Sequence, residues 1–207
     1  DWLALDAVNP GDSTKPKDLI GTAFWKGAAD QMADMARASG RAADAARYAA
    51  LAGRVTEAFR RTFVKADGTI GNGSQTGYIL ALHFELLPPA ARADATRRLV
   101  ADIRRRGTLL STGFLGTPYS LDVLADAGEI ALVYDLLLRT EYPSWGYMIA
   151  KGATTTWERW NSDAGDRSMN SFNHYALGAV VGFMFRRIAG IAPTAPGFTR
   201  FTVRPLG

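Results

Sequence analysis

The sequence predicts an all-α fold in which helices alternate as inner and outer members of an α/α toroid, followed near Ile191 by the start of a β-domain. Three observations carry this reading. Helical periodicity recurs in segment after segment up to Ile188. Segments apolar almost all round alternate with amphipathic, arginine-rich ones, as inner and outer rings require. Beyond Gly190 the texture changes to Pro193, Pro196 and Gly197, then Phe198, Phe201 and Val203 with threonines between, which is strand alternation. Residues 1–190 are thus expected to form the helical domain and 191–207 the first strands of a further β-domain. No short-period repeat accompanies the helix pairs, which favours a toroid over a regular solenoid.

A polar loop through Pro10, Gly11 and Lys15-Pro16 leads into the first helix, with Pro16 suited to its first turn. Leu19, Ala23, Ala28, Met32 and Met35 supply its apolar stripe, and Gly40 ends it. Arg41 to Phe63 is the clearest helix, with Tyr48, Leu51, Ala52, Val55, Ala58, Phe59 and Phe63 on one face. Two helices separated by one glycine predict an antiparallel hairpin. Ser74 is positioned to cap a buried helix from Gln75 to Leu87, which Pro88-Pro89 ends. Ala91 to Arg106 is its amphipathic partner, with Leu99, Val100 and Ile103 inward. After the loop Thr108 to Tyr119 a third pair follows, Leu121 to Ala127 and Glu129 to Arg139. A buried helix from about Met169 to Ile188, capped by Ser168, closes the series. Trp25 is expected to pack, and Asp122, Asp126 and Glu129 to cap helices or face solvent.

The composition narrows the function classes. A chain of 207 residues, 47% hydrophobic and 21% charged, is ordinary for a globular domain with a sizeable core. The net charge of +4 comes from scattered arginine pairs and the triplet Arg104 to Arg106. Without a recognition motif or interleaved aromatics these read as solvated helix faces, so no nucleic-acid partner is expected. The longest apolar run, Tyr175 to Phe185, falls short of the ~20 residues of a membrane span, so no membrane partner is expected either. With no cysteine there are no disulfides or thiolate sites. The two histidines, His83 and His174, lie far apart without metal-ligand spacing, and no metal is expected. No phosphate-binding loop, dinucleotide fingerprint or Ser-His-Asp pattern supports phosphoryl, hydride or acyl transfer. The chain opens on Asp1 rather than methionine and ends in strand-like sequence, so a piece of a longer polypeptide is expected.

The stretch Tyr142 to Trp160, YPSWGYMIAKGATTTWERW, fits neither a core helix nor a solvent loop. Three tryptophans, two tyrosines and the pair Glu158-Arg159 lie among small residues and the β-branched run Thr154 to Thr156, which favours extended backbone. If Thr155 to Trp160 is extended, Glu158 and Trp160 share a face, placing a carboxylate beside an indole. That pairing suits a sugar: the aromatic face covers its C–H surface and the acid handles a hydroxyl or a proton. Glu158 is therefore the first candidate for chemistry. The alternative is a helical turn that buries Trp157 and Trp160 together and leaves Glu158 and Arg159 solvated. By composition alone His174 reads as a hydrogen-bonded core histidine.

Four blocks carry a resemblance that spans essentially the whole chain. They are Asp1-Trp2-Leu3, which matches apart from a missing glycine; Gly73-Ser74-Gln75-Thr76-Gly77-Tyr78; Ser111 to Tyr119 (STGFLGTPY); and the Tyr142–Trp160 stretch with Met169-Asn170-Ser171-Phe172-Asn173-His174-Tyr175-Ala176-Leu177-Gly178. In order and spacing they resemble bacterial α-L-rhamnosidases of glycoside hydrolase family 78, the last two blocks being specific. The resemblance implies the C-terminal part of a six-hairpin α/α-barrel catalytic domain, then the start of a C-terminal β-sandwich. It implies hydrolysis of terminal α-L-rhamnose with inversion, without a cofactor, in a bacterial protein whose compartment, cytoplasmic or secreted, stays open. Glu158 matches the general base, His174 a histidine that contacts the sugar and Trp2 an aromatic wall of the same subsite. Trp145 is placed in the pocket from its glycine-flanked setting. The implied partners are a rhamnose-containing glycoside and the remaining domains of the same polypeptide. The family's general acid lies in an acidic motif upstream of the Asp-Trp block, and nothing here matches it. An active parent enzyme and an inactive isolated chain are therefore expected. Two other readings stay open: a polysaccharide lyase on an α/α barrel, with Tyr and His transferring the proton, and a non-catalytic carbohydrate-binding piece.

Overall fold

Two 22-residue helices, α1 (Lys17–Ala38) and α2 (Ala42–Phe63), pack along their lengths and open the helical part of the chain. The computed structural model describes residues 1–6, 17–164 and 170–207. The expected loop at Pro10 to Pro16, the cap Ser168 and the helix start Met169 lie outside the described residues. The chain divides into two compact units, Asp1–Asp102 and Ile103–Gly207.

In the first unit, the buried stripe of α1 is Leu19, Ile20, Ala23, Gly27, Ala29, Ala33 and Ala36. The stripe expected from Ala28, Met32 and Met35 is displaced around the helix, and both methionines are exposed. The packed face is built from small residues, which allow a neighbouring backbone or ring to come close. At Gly27 a Cβ would lie 2.4 Å from the Phe84 ring, which Phe24 meets edge-on at 5.2 Å between centroids. Trp25, expected to pack, is 56% exposed. One step of about 100° around the helix from Phe24 turns it outward. On α2, Ala45, Ala52, Val55, Phe59 and Phe63 are buried.

Helix α3 (Gln75–His83) is capped as expected, the Ser74 hydroxyl accepting the Gly77 N–H, and every residue from Gln75 to Leu82 is buried. It stops four residues before the expected Leu87. Glu85 adopts a positive φ of 53° and the Leu86 N–H returns to the Ala81 carbonyl, so the backbone closes the helix. Leu86 and Leu87 stay buried, which is why the apolar pattern outlasts the helix. Helix α4 (Pro89–Arg105) begins with proline at its N-terminus and buries Ala95, Leu99 and Ile103.

In the second unit, α5 (Thr117–Asp126) starts four residues earlier than the apolar pattern indicates, and α6 (Ile130–Leu138) follows. Asp126 is exposed, as expected, and pairs with Arg187; Asp122 is partly buried and pairs with Arg186, both arginines lying more than sixty residues on. Helix α7 (Trp145–Ala150) has Ser144 as its cap and follows a cis Tyr142-Pro143 bond. The long helix expected from Met169 is shorter. Ser171 to Asn173 are not helical, and α8 (Tyr175–Gly178), α9 (Val180–Phe183) and a π-helical turn (Met184–Ile188) follow one another. Strand β1 (Ile191–Pro193) pairs antiparallel with β2 (Phe201–Val203), Ala192 opposite Thr202. Phe198, read as part of the strand, lies in a 3₁₀ turn at φ 56°. The C-terminal end is tied down by the Tyr134 hydroxyl, which donates to the Leu206 carbonyl at 2.8 Å.

Candidate active site

In the second unit two irregular segments, 155–158 and 171–174, are strapped together by their backbones. The Glu158 N–H donates to the Ser171 carbonyl at 2.9 Å and the His174 N–H to the Thr156 carbonyl at 2.8 Å. The Thr155 hydroxyl donates to the Phe172 carbonyl, and the Phe172 ring meets Trp157 edge-on. Trp157 and Trp160 are both buried, in a cluster with Met148 and Leu177. The sequence left two alternatives here, and the structure follows neither completely. Both indoles go inward, as the helical alternative required, but the backbone is not helical and Glu158 is not a solvated side chain.

Glu158 is half-buried. Its Oε2 accepts the Ser171 N–H at 2.7 Å, a charge-assisted bond that fixes one end of the carboxylate. Its Oε1 takes no hydrogen bond from the described residues. The carboxylate is thus anchored through one oxygen, with the other available to accept a proton.

His174 caps α8. Its Nδ1 accepts the Ala176 N–H at 3.2 Å, so in the neutral ring the proton is on Nε2, a donor suited to a hydroxyl. The imidazole meets two rings, Tyr175 stacked at 4.9 Å and Phe114 tilted at 4.7 Å. Phe114 comes from the loop before α5, which is fixed by a 2.7 Å hydrogen bond between the Thr112 and Thr117 hydroxyls.

The other two candidates are placed differently. The Trp145 indole N–H donates to the Leu177 carbonyl at 2.9 Å, and its ring meets Trp160 edge-on. Trp145 lines an apolar groove of about 430 Å³ with Tyr134, Met148, Thr156, Val180 and Met184; neither Glu158 nor His174 lines it. Trp2 belongs to the first unit, in a turn closed by the Ala4 N–H on the Asp1 carbonyl, and is 37% exposed. The Asp1 carboxylate anchors that turn by accepting the hydroxyl of buried Thr76 at 2.5 Å. The structure therefore brings the backbones around Glu158 and His174 together, and sets Trp145 in the adjoining groove.

Residues 1–188 match the family model described as the bacterial α-L-rhamnosidase six-hairpin glycosidase domain. The chain belongs to this family. An α-L-rhamnosidase from Streptomyces avermitilis is 46% identical over 210 residues, 99% of this chain and 20% of that protein. The crystal structure of the S. avermitilis α-L-rhamnosidase in complex with L-rhamnose superposes with a TM-score of 0.91 at 44% identity, covering all of this chain and 20% of that one. The Aspergillus terreus α-L-rhamnosidase gives 0.94 at 33% identity, again over the whole chain and 25% of its own. The chain spans about a fifth to a quarter of the length of these rhamnosidases. Membership of a six-hairpin glycosidase family agrees with the all-α, α/α-toroid fold read from the sequence.

Sequence reasoning singled out Glu158 and His174 but passed over the groups that hold them. Ser171 offers a main-chain N–H, which composition does not reveal. Ser162 and Asn170 exchange two hydrogen bonds, Ser162 Oγ to Asn170 Oδ1 and Asn170 Nδ2 to the Ser162 carbonyl, and so tie the residue before Ser171 to the segment after Trp160. Ser162 lies just beyond the Tyr142–Trp160 stretch and Asn170 within the block Met169 to Gly178, and neither residue type marks the contact. Among the described residues no three His, Asp or Glu side chains are grouped so as to hold a metal ion.

Proposed function

We propose that this chain works within an α-L-rhamnosidase that hydrolyses terminal α-L-rhamnose from rhamnosides with inversion, Glu158 acting as general base. Family membership supports the substrate class, and the single observation that carries the role is the Glu158 carboxylate, half-buried, pinned at Oε2 and open at Oε1. In this reading Oε1 takes a proton from water as that water attacks the anomeric carbon from the face opposite the leaving oxygen. A second carboxyl group, about 6.5–9.5 Å away in an inverting enzyme, protonates the leaving oxygen. We place it elsewhere in the same polypeptide, because no stretch of this chain matches the acid's motif.

His174 donates from Nε2 to a sugar hydroxyl, and Trp145 contributes aromatic surface; for Trp2 the support is the sequence resemblance alone. Trp145 does so through its ring, since its N–H is already engaged by Leu177. Two carboxyl groups and water complete the reaction without a cofactor. Residues 191–207 begin a C-terminal β-domain, and 1–190 are the C-terminal part of the helical catalytic domain.

The test is p-nitrophenol release from p-nitrophenyl α-L-rhamnoside by the full-length polypeptide, wild type against Glu158→Gln, with the isolated chain assayed alongside. Gln keeps the shape and the Ser171 contact but loses the base. A fall in kcat of about 10²–10⁴-fold with KM little changed is expected, together with no turnover by the isolated chain. Near-normal turnover by Glu158→Gln would remove the base assignment. No turnover of the rhamnoside by the wild type, with an unsaturated sugar released from a uronate-containing polysaccharide, would identify a lyase instead.

A further inference from the structure

We infer that Ser171 is the positioning residue for Glu158, an inference that rests on the base assignment above. The two residues hold each other twice: the Glu158 N–H donates to the Ser171 carbonyl, and the Ser171 N–H donates to Glu158 Oε2. Backbone and carboxylate of one residue thus close on the backbone of the other, and the rotatable bonds of the glutamate are locked between two fixed points. A free glutamate side chain samples many rotamers. This one is held with Oε1 in a single direction before any water arrives, which is the condition for an effective base.

The register shows why a serine suits the position. The strap joins Thr156 to His174 and Glu158 to Ser171, so two steps along one segment face three along the other. One residue is extra on the 171–174 side, a bulge-like arrangement that re-aims the groups on either side of it. Such an insertion leaves backbone groups without ladder partners. The Ser171 hydroxyl serves them: it accepts the Asn173 N–H at 3.1 Å and donates to the Asn173 carbonyl at 3.0 Å. Its side chain therefore fixes the turn whose main chain grips Glu158. His174 is secured separately, by its own N–H on Thr156 and its cap on Ala176, so loosening Ser171 acts on the base and not on the sugar contact.

The experiment uses the full-length polypeptide and p-nitrophenyl α-L-rhamnoside, with Ser171→Ala, Ser171→Thr and Ser171→Pro, each alone and combined with Glu158→Gln. Ser171→Ala removes the hydroxyl lock and is expected to lower kcat by about tenfold with KM changed less than about twofold. Ser171→Thr keeps the hydroxyl and restores kcat to within about threefold of wild type. Ser171→Pro also deletes the N–H and is expected to cost about a hundredfold, provided its circular dichroism matches wild type; if it does not fold, the alanine and threonine variants decide. Because Ser171 acts through Glu158, neither Ala nor Pro should lower the residual rate of Glu158→Gln further. Wild-type kcat in Ser171→Ala, or a loss that multiplies fully with that of Glu158→Gln, overturns the inference while leaving the base assignment standing. Activity retained by Glu158→Gln overturns both.

Discussion

His174 holds a helix terminus and, in the reading above, a sugar with the same ring, and the two duties can be separated. Nδ1 accepts from Ala176 and Nε2 is left as the donor. Asparagine is a good N-cap and can keep the first contact, but it is too short to reproduce the second. His174→Asn is therefore expected to raise KM for p-nitrophenyl α-L-rhamnoside by about tenfold while its Tm stays within a few degrees of wild type; alanine should lose both, the missing cap alone costing about 1 kcal/mol. Steady-state kinetics beside a thermal melt of each variant checks this. An unchanged KM in the asparagine variant would leave His174 with its structural duty alone.

Two glycines on helices make opposite demands on their elements. Gly146, in α7, lies where a Cβ would be 2.3 Å from the Arg139 carbonyl oxygen, a distance that no side-chain adjustment relieves because the neighbour is backbone. Gly146→Ala should force α7 away from the end of α6 and destabilise the chain by about 1–3 kcal/mol. Gly53, in the middle of α2, has open space around the same position. Gly53→Ala should stabilise by about 0.5–1 kcal/mol, since alanine loses less backbone entropy in a helix. Urea unfolding of the two variants measures both signs, and equal midpoints would refute the steric argument.

At the scale of the whole molecule, different groups in the two units contribute to the pH dependence of stability. In the first, the Thr69 N–H donating to Asp67, and the Arg98 and Arg97 guanidinium groups on Asp94, hold both carboxyls below the usual value of 3.8. A carboxyl lowered on folding stabilises above its unfolded pKa, and the contribution disappears as pH falls through the lower folded value. Stability from this source is complete at neutral pH and declines below about pH 4, and Asp94→Asn should flatten that acid limb. In the second unit, burial raises the Tyr119 and Tyr142 hydroxyls above the ordinary 10.0. There the unfolded chain releases its protons first, so stability falls as pH rises past about 10. Tm followed across pH for wild type, Asp94→Asn and Tyr142→Phe checks both limbs; the phenylalanine variant should lose less stability at the alkaline end.

The sequence by itself determined the all-α class, the order of the helices from α1 to α6, the cap at Ser74 and the hairpin of α1 and α2, because periodicity, capping chemistry and punctuating glycines are local properties; α7, inside the aromatic stretch, it did not show. It also picked out Glu158, since an acid among tryptophans and threonines is unusual in any local pattern. Tertiary structure decided the rest. Whether Met32 or Ala33 faced inward depended on how closely a neighbour could approach, and the end of α3 depended on a backbone reversal at Glu85 that its apolar side chains conceal. Asp122 and Asp126 found arginines more than sixty residues away, a distance no local reading spans. The hold on Glu158 was the least legible feature. Its donor is a main-chain N–H, the one group every residue but proline carries, so only folding could show which of them reaches the carboxylate.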